Sequence, residues 1–139
     1  MLATSPAEIP KFLRMTSRSD GKIAIVGGKK DQSRERNLPR FTRSDGAWFH
    51  FTLTVSEQPK VPLDLVAYDF EICFTEEPRP PFVRFDLNPP DHHNEEEGLR
   101  SHVHLSTDDV SVPSMVMSPL EVLDVLLYDL RLKRDKPRG

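Results

Sequence analysis

Four of the five histidines in this chain, His92, His93, His102 and His104, fall within the stretch RFDLNPPDHHNEEEGLRSHVH, which runs from Arg84 to His104. Imidazole, carboxylate and guanidinium groups at this density allow three chemistries. Two neutral imidazoles in a His-x-His pair, with a carboxylate beside them, can hold a divalent metal such as zinc, manganese or iron and leave coordination positions open. His102 and His104 are the first candidates, and His92, His93, Asp91 or a glutamate of the 95–97 run could complete the set. Without a metal, His102 and His104 can act as acid and base at a phosphodiester, in either order. Arg84 would then stabilise charge on the phosphoryl group and Asp86 would orient an imidazole. In a purely recognising role, the arginine and histidines would contact an anionic or polypeptide partner.

What these side chains can do depends on the elements that aim them. In AWFHFTLTV, Phe49, Phe51, Leu53 and Val55 alternate with Trp48, His50, Thr52 and Thr54. In LDLVAYDFEICF, Val66, Tyr68, Phe70, Ile72 and Phe74 alternate with Leu65, Ala67, Asp69, Glu71 and Cys73, and in PFVRFDL, Val83, Phe85 and Leu87 alternate with Phe82, Arg84 and Asp86. Period-two patterning across successive segments predicts antiparallel strands with one buried face. Full burial of each such side chain contributes about 1.5–3 kcal/mol, enough for this face to drive folding.

His102-Val103-His104-Leu105 continues the alternation. Val103 and Leu105 are expected to point into the core. His102 and His104 then share the opposite face, about 7 Å apart at a rise of ~3.3 Å per residue. Pairing of this strand with the one carrying Arg84 and Asp86 brings all four residues together on one open surface. Asp69 and Glu71 would lie on that face one strand further away. A sheet face that only had to be soluble would more typically show Thr, Lys, Glu and Ser.

The remaining segments frame the sheet. Ser5-Pro6-Ala7-Glu8 is a capping box, and Pro10 limits the structure of residues 1–20 to a short helix or an ordered arm. KIAIV, Lys22 to Val26, reads as a strand ending at a glycine pair, and Ser44-Asp45-Gly46 reads as a hairpin turn. Residues 29–43 and 88–101 are polar and read as mobile loops. Val110 to Val112 suggests one more short strand. Ser118-Pro119-Leu120-Glu121 is a second capping box, and it opens a helix with Leu120, Leu123, Leu127 and Leu130 in one stripe, widened by Val122 and Leu126. Arg131, Lys133 and Arg134 would suit the negative end of its dipole. The expected fold is α+β: a short N-terminal helix, an antiparallel meander of four to six strands, and a C-terminal helix covering one face.

Bulk properties narrow the function classes. A chain of 139 residues is read as one domain able to bury a core, and 13 prolines point to long connections and edge strands. Net charge is −3, so no global basic field draws the chain to nucleic acid or membrane. No apolar run reaches spanning length and the N-terminus lacks signal-peptide features, so a cytoplasmic location with no membrane partner is expected. The single cysteine, Cys73, excludes an intrachain disulfide and is expected to pack as a small hydrophobe.

Each candidate has a plainer alternative. Outward histidines on a strand are often polar surface, Asp91 to Glu97 reads as a solvated loop, and Arg84 and Asp86 can make simple cross-strand ion pairs. His50 reads as structural. The basic stretch with Lys29, Lys30, Arg34, Arg36, Arg40 and Arg43 could grip phosphates, but only Phe41 is interleaved with it, which favours a solvated loop.

The order Phe82-Val83-Arg84-Phe85-Asp86, a polar loop with Pro90, His92 and His93, then His102-x-His104 and a closing helix from Pro119 resembles the TumE-like toxin group and related uncharacterised bacterial domains of conflict systems. The resemblance covers roughly the last 60 residues. It implies a ribonuclease-like or otherwise nucleic-acid-directed activity, neutralised by a small antitoxin partner; apart from the resemblance, a complex subunit is the other protein partner expected. The loop before His102 is longer and more acidic than that pattern, and the N-terminal half has no counterpart in it. The favoured expectation is therefore a conflict-system ribonuclease with His102, His104, Arg84 and Asp86 as its site. A non-catalytic partner-binding subunit and a small His-anchored metalloprotein are the alternatives.

Overall fold

The computed structural model describes residues 2–4, 9–18, 20–28, 40–56, 64–90, 100–107 and 111–131. Among them, eight strands form one antiparallel sheet: β1 (Leu13–Ser17), β2 (Lys22–Gly27), β3 (Phe41–Thr42), β4 (Trp48–Ser56), β5 (Asp64–Cys73), β6 (Phe82–Leu87), β7 (Ser101–Leu105) and β8 (Ser111–Pro113). The path is a meander, β1-β2-β4-β5-β6-β7-β8. β3 pairs with β4 at Phe49 and Trp48, while β2 pairs with β4 from Phe51 onward. With α1 (Ile9–Phe12) and α2 (Pro119–Asp124), the class is α+β.

Eight strands exceed the expected four to six. Two strands were missed: β3, whose Phe41–Thr42 lies inside the 29–43 stretch expected to be a mobile loop and pairs with β4, and β1, which lies where an N-terminal arm was expected. All five of its residues are exposed, so it carries no alternation to betray it, and its ladder to β2 holds it in the sheet. The Ser5–Glu8 capping box lies outside the described residues.

The apolar positions of β4, β5 and β6 form the core as their alternation predicts. Phe41, Phe49, Phe51, Tyr68, Phe70, Ile72 and Leu87 are buried together with Val122 and Leu126. Phe51 and Phe70 stack with centroids 5.0 Å apart. Phe51 also lies against Gly27, its register partner on β2, in space that any side chain there would take. The β3–β4 hairpin turns through Arg43 to Gly46, where Gly46 adopts φ 89°, a conformation glycine reaches without Cβ strain.

At the C-terminal end, Ser118 and Glu121 make the reciprocal capping box. The helix is shorter than its pattern suggests. After Asp124 it continues as a π-helix over Val125–Asp129, and Leu130 is extended. Its burial also differs from expectation: Val122 and Leu126 are fully buried, whereas Leu120 is exposed. The cation at its C-terminal end comes from far along the chain. Arg43 donates from Nη1 to the carbonyls of Leu126 and Leu130. Arg131 is exposed, and Lys133 and Arg134 lie outside the described residues. Arg43 is thus committed to the fold, not to a phosphate-gripping loop. Tyr68 ties the approach to α2 onto the sheet by donating to the Met117 carbonyl at 3.0 Å. Burial raises the Tyr68 hydroxyl pKa, against the lowering effect of that bond.

Candidate metal centre on the polar sheet face

β6 and β7 are antiparallel neighbours, with Arg84 opposite His104 and Asp86 opposite His102. Period two then sends all four side chains to the face away from the aromatic core. The ladder extends sideways. Glu71 lies opposite Arg84 and Asp69 opposite Asp86 on β5, and His50 lies opposite Glu71 and Thr52 opposite Asp69 on β4. Two adjacent rungs result. One runs His50, Glu71, Arg84, His104; the other runs Thr52, Asp69, Asp86, His102. Trp48, Cys73 and Phe82 form a small buried apolar cluster one rung beyond, which is where Cys73 packs.

Asp86 is the hub. Its carboxylate accepts from Arg84 Nε, at 3.0 Å to each oxygen. His104 Nε2 lies 3.2 Å and His102 Nε2 3.4 Å from Asp86 Oδ2. The two imidazoles meet edge to face, with centroids 4.9 Å apart. Ligand atoms of Asp86, His102 and His104 all lie within 4.8 Å of one another.

The open surface expected for these residues is not what forms. His102 and His104 are only 6% and 7% exposed. β8 pairs along the outer side of β7, opposite Pro113 and Ser111, so the His-x-His strand is interior to the sheet. Each imidazole is therefore flanked on both sides, and cross-strand neighbours at ~5 Å exclude water from one another. The companion positions behave in the opposite way: Val103 is half-buried and Leu105 exposed, near the end of the ladder.

The donor spacing suits a divalent ion. Ligands about 2.0–2.1 Å from one tetrahedral ion stand roughly 3.4 Å apart, and the two Asp86–imidazole separations are 3.4 and 3.2 Å. Charge points the same way. Asp69, Glu71 and Asp86 bring three carboxylates onto these two rungs beside the guanidinium of Arg84, and Asp69 stands directly opposite Asp86. Like charges opposite each other destabilise a sheet unless a cation intervenes. Arg84 fits as a partner that orients a ligating carboxylate, because such ligands are commonly hydrogen-bonded in turn.

His92 and His93, the other candidate ligands, lie outside the described residues, as do Asp91 and the 95–97 glutamates. Of the basic stretch, Lys29, Lys30, Arg34 and Arg36 also lie outside. Arg40 pairs with Glu76 and sits over the Trp48 ring, 4.6 Å from its centroid. The residues undervalued from sequence are His50 and Glu71, both 5% exposed, with His50 Nε2 3.4 Å from Glu71 Oε2. Their signal was present: His50 in Trp-x-His-x-Thr faces the same way as Glu71 in Asp-x-Glu. No helix among the described residues is long and apolar enough to cross a membrane. Comparison with known proteins finds no match to a family model, to a curated protein or to a solved structure.

Proposed function

We propose that Asp86, His102 and His104 hold a divalent transition-metal ion, and that the protein uses it to hydrolyse RNA phosphodiesters within a bacterial conflict system. The observation that carries the metal is the convergence of the two imidazole Nε2 atoms on one oxygen of Asp86. Acid and base for a metal-free, in-line displacement need to stand on opposite sides of the phosphorus. Imidazoles aimed at a single point favour ligation over that arrangement. A bound divalent ion would polarise a phosphoryl oxygen and supply a nucleophile at neutral pH. Arg84 orients Asp86, and the flanking carboxylates tune the charge that the ion meets. In this reading α2 closes the apolar face of the sheet and leaves the polar face as the working side. RNA as substrate, the conflict-system setting and an antitoxin-like partner are carried by the resemblance of the C-terminal half.

The test is cleavage of end-labelled RNA by the full chain reconstituted with zinc or manganese. Cleavage that stops with a chelator and returns with metal is expected. Cleavage that persists in chelator yet disappears in His102→Ala and His104→Ala would instead assign the histidines to acid–base work. One observation favours a second reading, a non-catalytic subunit. Leu105 on β7, Val112 on β8, Met115 and Val116 in the segment after β8, and Leu120 on α2 are all exposed, and exposed apolar side chains in that number suit a protein partner. That reading predicts RNA left intact by the metal-loaded protein.

A further inference from the structure

Among the described residues the sheet ends at β1 on one side and at β8 on the other, and the two edges are not alike. At β1, Gly28 N–H donates to the Phe12 carbonyl at 2.7 Å and Arg18 N–H donates to the Lys22 carbonyl at 2.8 Å. These bonds flank the β1–β2 register, so the even-numbered residues of β1 bond inward. Antiparallel ladders alternate, which turns the main-chain groups of Leu13, Met15 and Ser17 away from the sheet. At β8, Ser114 N–H donates to the Ser101 carbonyl at 2.9 Å, so Val112 bonds inward and Ser111 and Pro113 face outward. Pro113 has no N–H, and that edge lacks a donor where a further strand would need one. β1 contains no proline and is exposed along its whole length. Its apolar side chains are uncovered as well. Leu13 and Met15 share the aromatic face with Phe51 and Leu53, through Gly27 and Ile25, yet they are 42% and 72% exposed.

We infer that β1 is a homodimer interface, at which β1 of a second copy pairs antiparallel about a two-fold axis through Met15. The strand is its own complement in that register. Met15 N–H donates to the Met15 carbonyl of the second copy, and its own carbonyl accepts in return. Leu13 falls opposite Ser17, so Ser17 N–H donates to the Leu13 carbonyl at each end. All of these groups are among those that point outward. Charge selects this axis over its neighbours. An axis at Arg14 would set Arg14 against its own copy, and an axis at Thr16 would set Arg14 against Arg18. Like charges directly opposite destabilise a strand pair. With the axis at Met15, Arg14 lies opposite Thr16 and Arg18 opposite Phe12. On the aromatic face Met15 meets Met15, and the uncovered apolar margin of one copy continues into that of the other. Pairing β1 with itself closes the assembly at two copies, whereas pairing it with β8 would build an open chain and would meet Pro113. A strand of five residues makes an interface below the standard ~1,200–2,000 Å², so the dimer is weak and depends on concentration. β1 stands far along the sheet order from β6 and β7, and the inference is independent of the metal centre.

The test is sedimentation velocity of the full chain from about 1 to 300 µM, a span that brackets a weak dissociation constant. Wild type is expected to pass from monomer to dimer across it. Met15→Pro removes an N–H that does not bond to β2, and Met15→Lys sets two ammonium groups opposite each other. Either should raise the dissociation constant at least about tenfold, with circular dichroism unchanged. Should the proline disturb the spectrum, the lysine variant carries the test alone. Met115→Lys, in the exposed apolar segment after β8, should leave the dimer as it is. Amide exchange of Met15 and Ser17 should slow as wild-type concentration rises. Wild type that stays monomeric at the highest concentration overturns the interface and leaves the edge to another segment of the chain or to a different protein. A dimer that survives Met15→Lys, or that Met115→Lys abolishes, places the contact elsewhere and overturns it too.

Discussion

Arg43→Met is expected to be among the most damaging single substitutions remote from the polar face. Arg43 is 3% exposed, and its guanidinium joins the β3–β4 hairpin to the end of the C-terminal helix. Nη1 donates to Leu126 O at 2.8 Å and also to Leu130 O, while Nε and Nη2 hold Asp45. Methionine keeps most of the apolar stem and removes every donor. Each lost charged hydrogen bond to a carbonyl is worth about 1.5–3 kcal/mol. The Asp45 pair adds less than about 1 kcal/mol, because it is partly solvated. Relief of the buried charge offsets some of this, which leaves a net loss of about 3–4 kcal/mol, a large share of the ~5–15 kcal/mol typical of a domain. At this chain length that lowers Tm by roughly 10–15 °C. Urea unfolding followed by fluorescence of Trp48, the one tryptophan in the chain and a buried one, measures it. A loss below about 1 kcal/mol, or one equal to that of Asp45→Asn, would refute the reasoning that the carbonyl bonds dominate.

The same packing sets three other outcomes. Gly27→Ala would drive a Cβ into the Cε1–Cζ edge of the Phe51 ring, and Phe51 is held by its stack on Phe70. A loss of about 1–3 kcal/mol is expected by urea unfolding, as for other overpacked cores. Leu126→Ala empties a fully buried site against the aromatic core and should lose about 2–5 kcal/mol in the same assay. The bond from the Arg43 side chain holds the Asp45 carboxyl at about 2, below its ordinary 3.8. A depressed carboxylate stabilises the fold above its unfolded pKa and loses that contribution as pH falls through the folded value. The stability gap between wild type and Asp45→Asn should therefore be constant above about pH 4 and close towards pH 2. Its size stays near or below ~1 kcal/mol, because the Asp45 side chain is 43% exposed.

The candidate site was legible because strand periodicity is local. Once Arg84-x-Asp86 and His102-x-His104 are placed on strands joined by one connection, antiparallel pairing leaves little freedom in which face they share. The hairpin at Ser44 to Gly46 and the Ser118 capping box were legible for the same reason, since each is written in a few adjacent residues. Burial was not legible. Whether His102 is open or enclosed depends on β8 pairing outside it, and the short strand expected at Val110 to Val112 carries no local sign of which edge it joins. β1 escaped because a strand exposed at every position has no period. The leucine stripe misled at Leu120, where the buried contacts belong to Val122 and Leu126. The Arg43 latch spans 83 residues to Leu126 and leaves no mark in either local sequence.

The most direct test of the metal centre is the metal content of the purified full chain by mass spectrometry. Wild type would be reconstituted with zinc, dialysed, and compared with Asp86→Asn and with the His102→Ala/His104→Ala double variant. Close to one ion per chain is expected in wild type and essentially none in either variant, with all three folded by circular dichroism. Wild-type protein that retains no ion, or variants that retain as much as wild type, would contradict the metal centre.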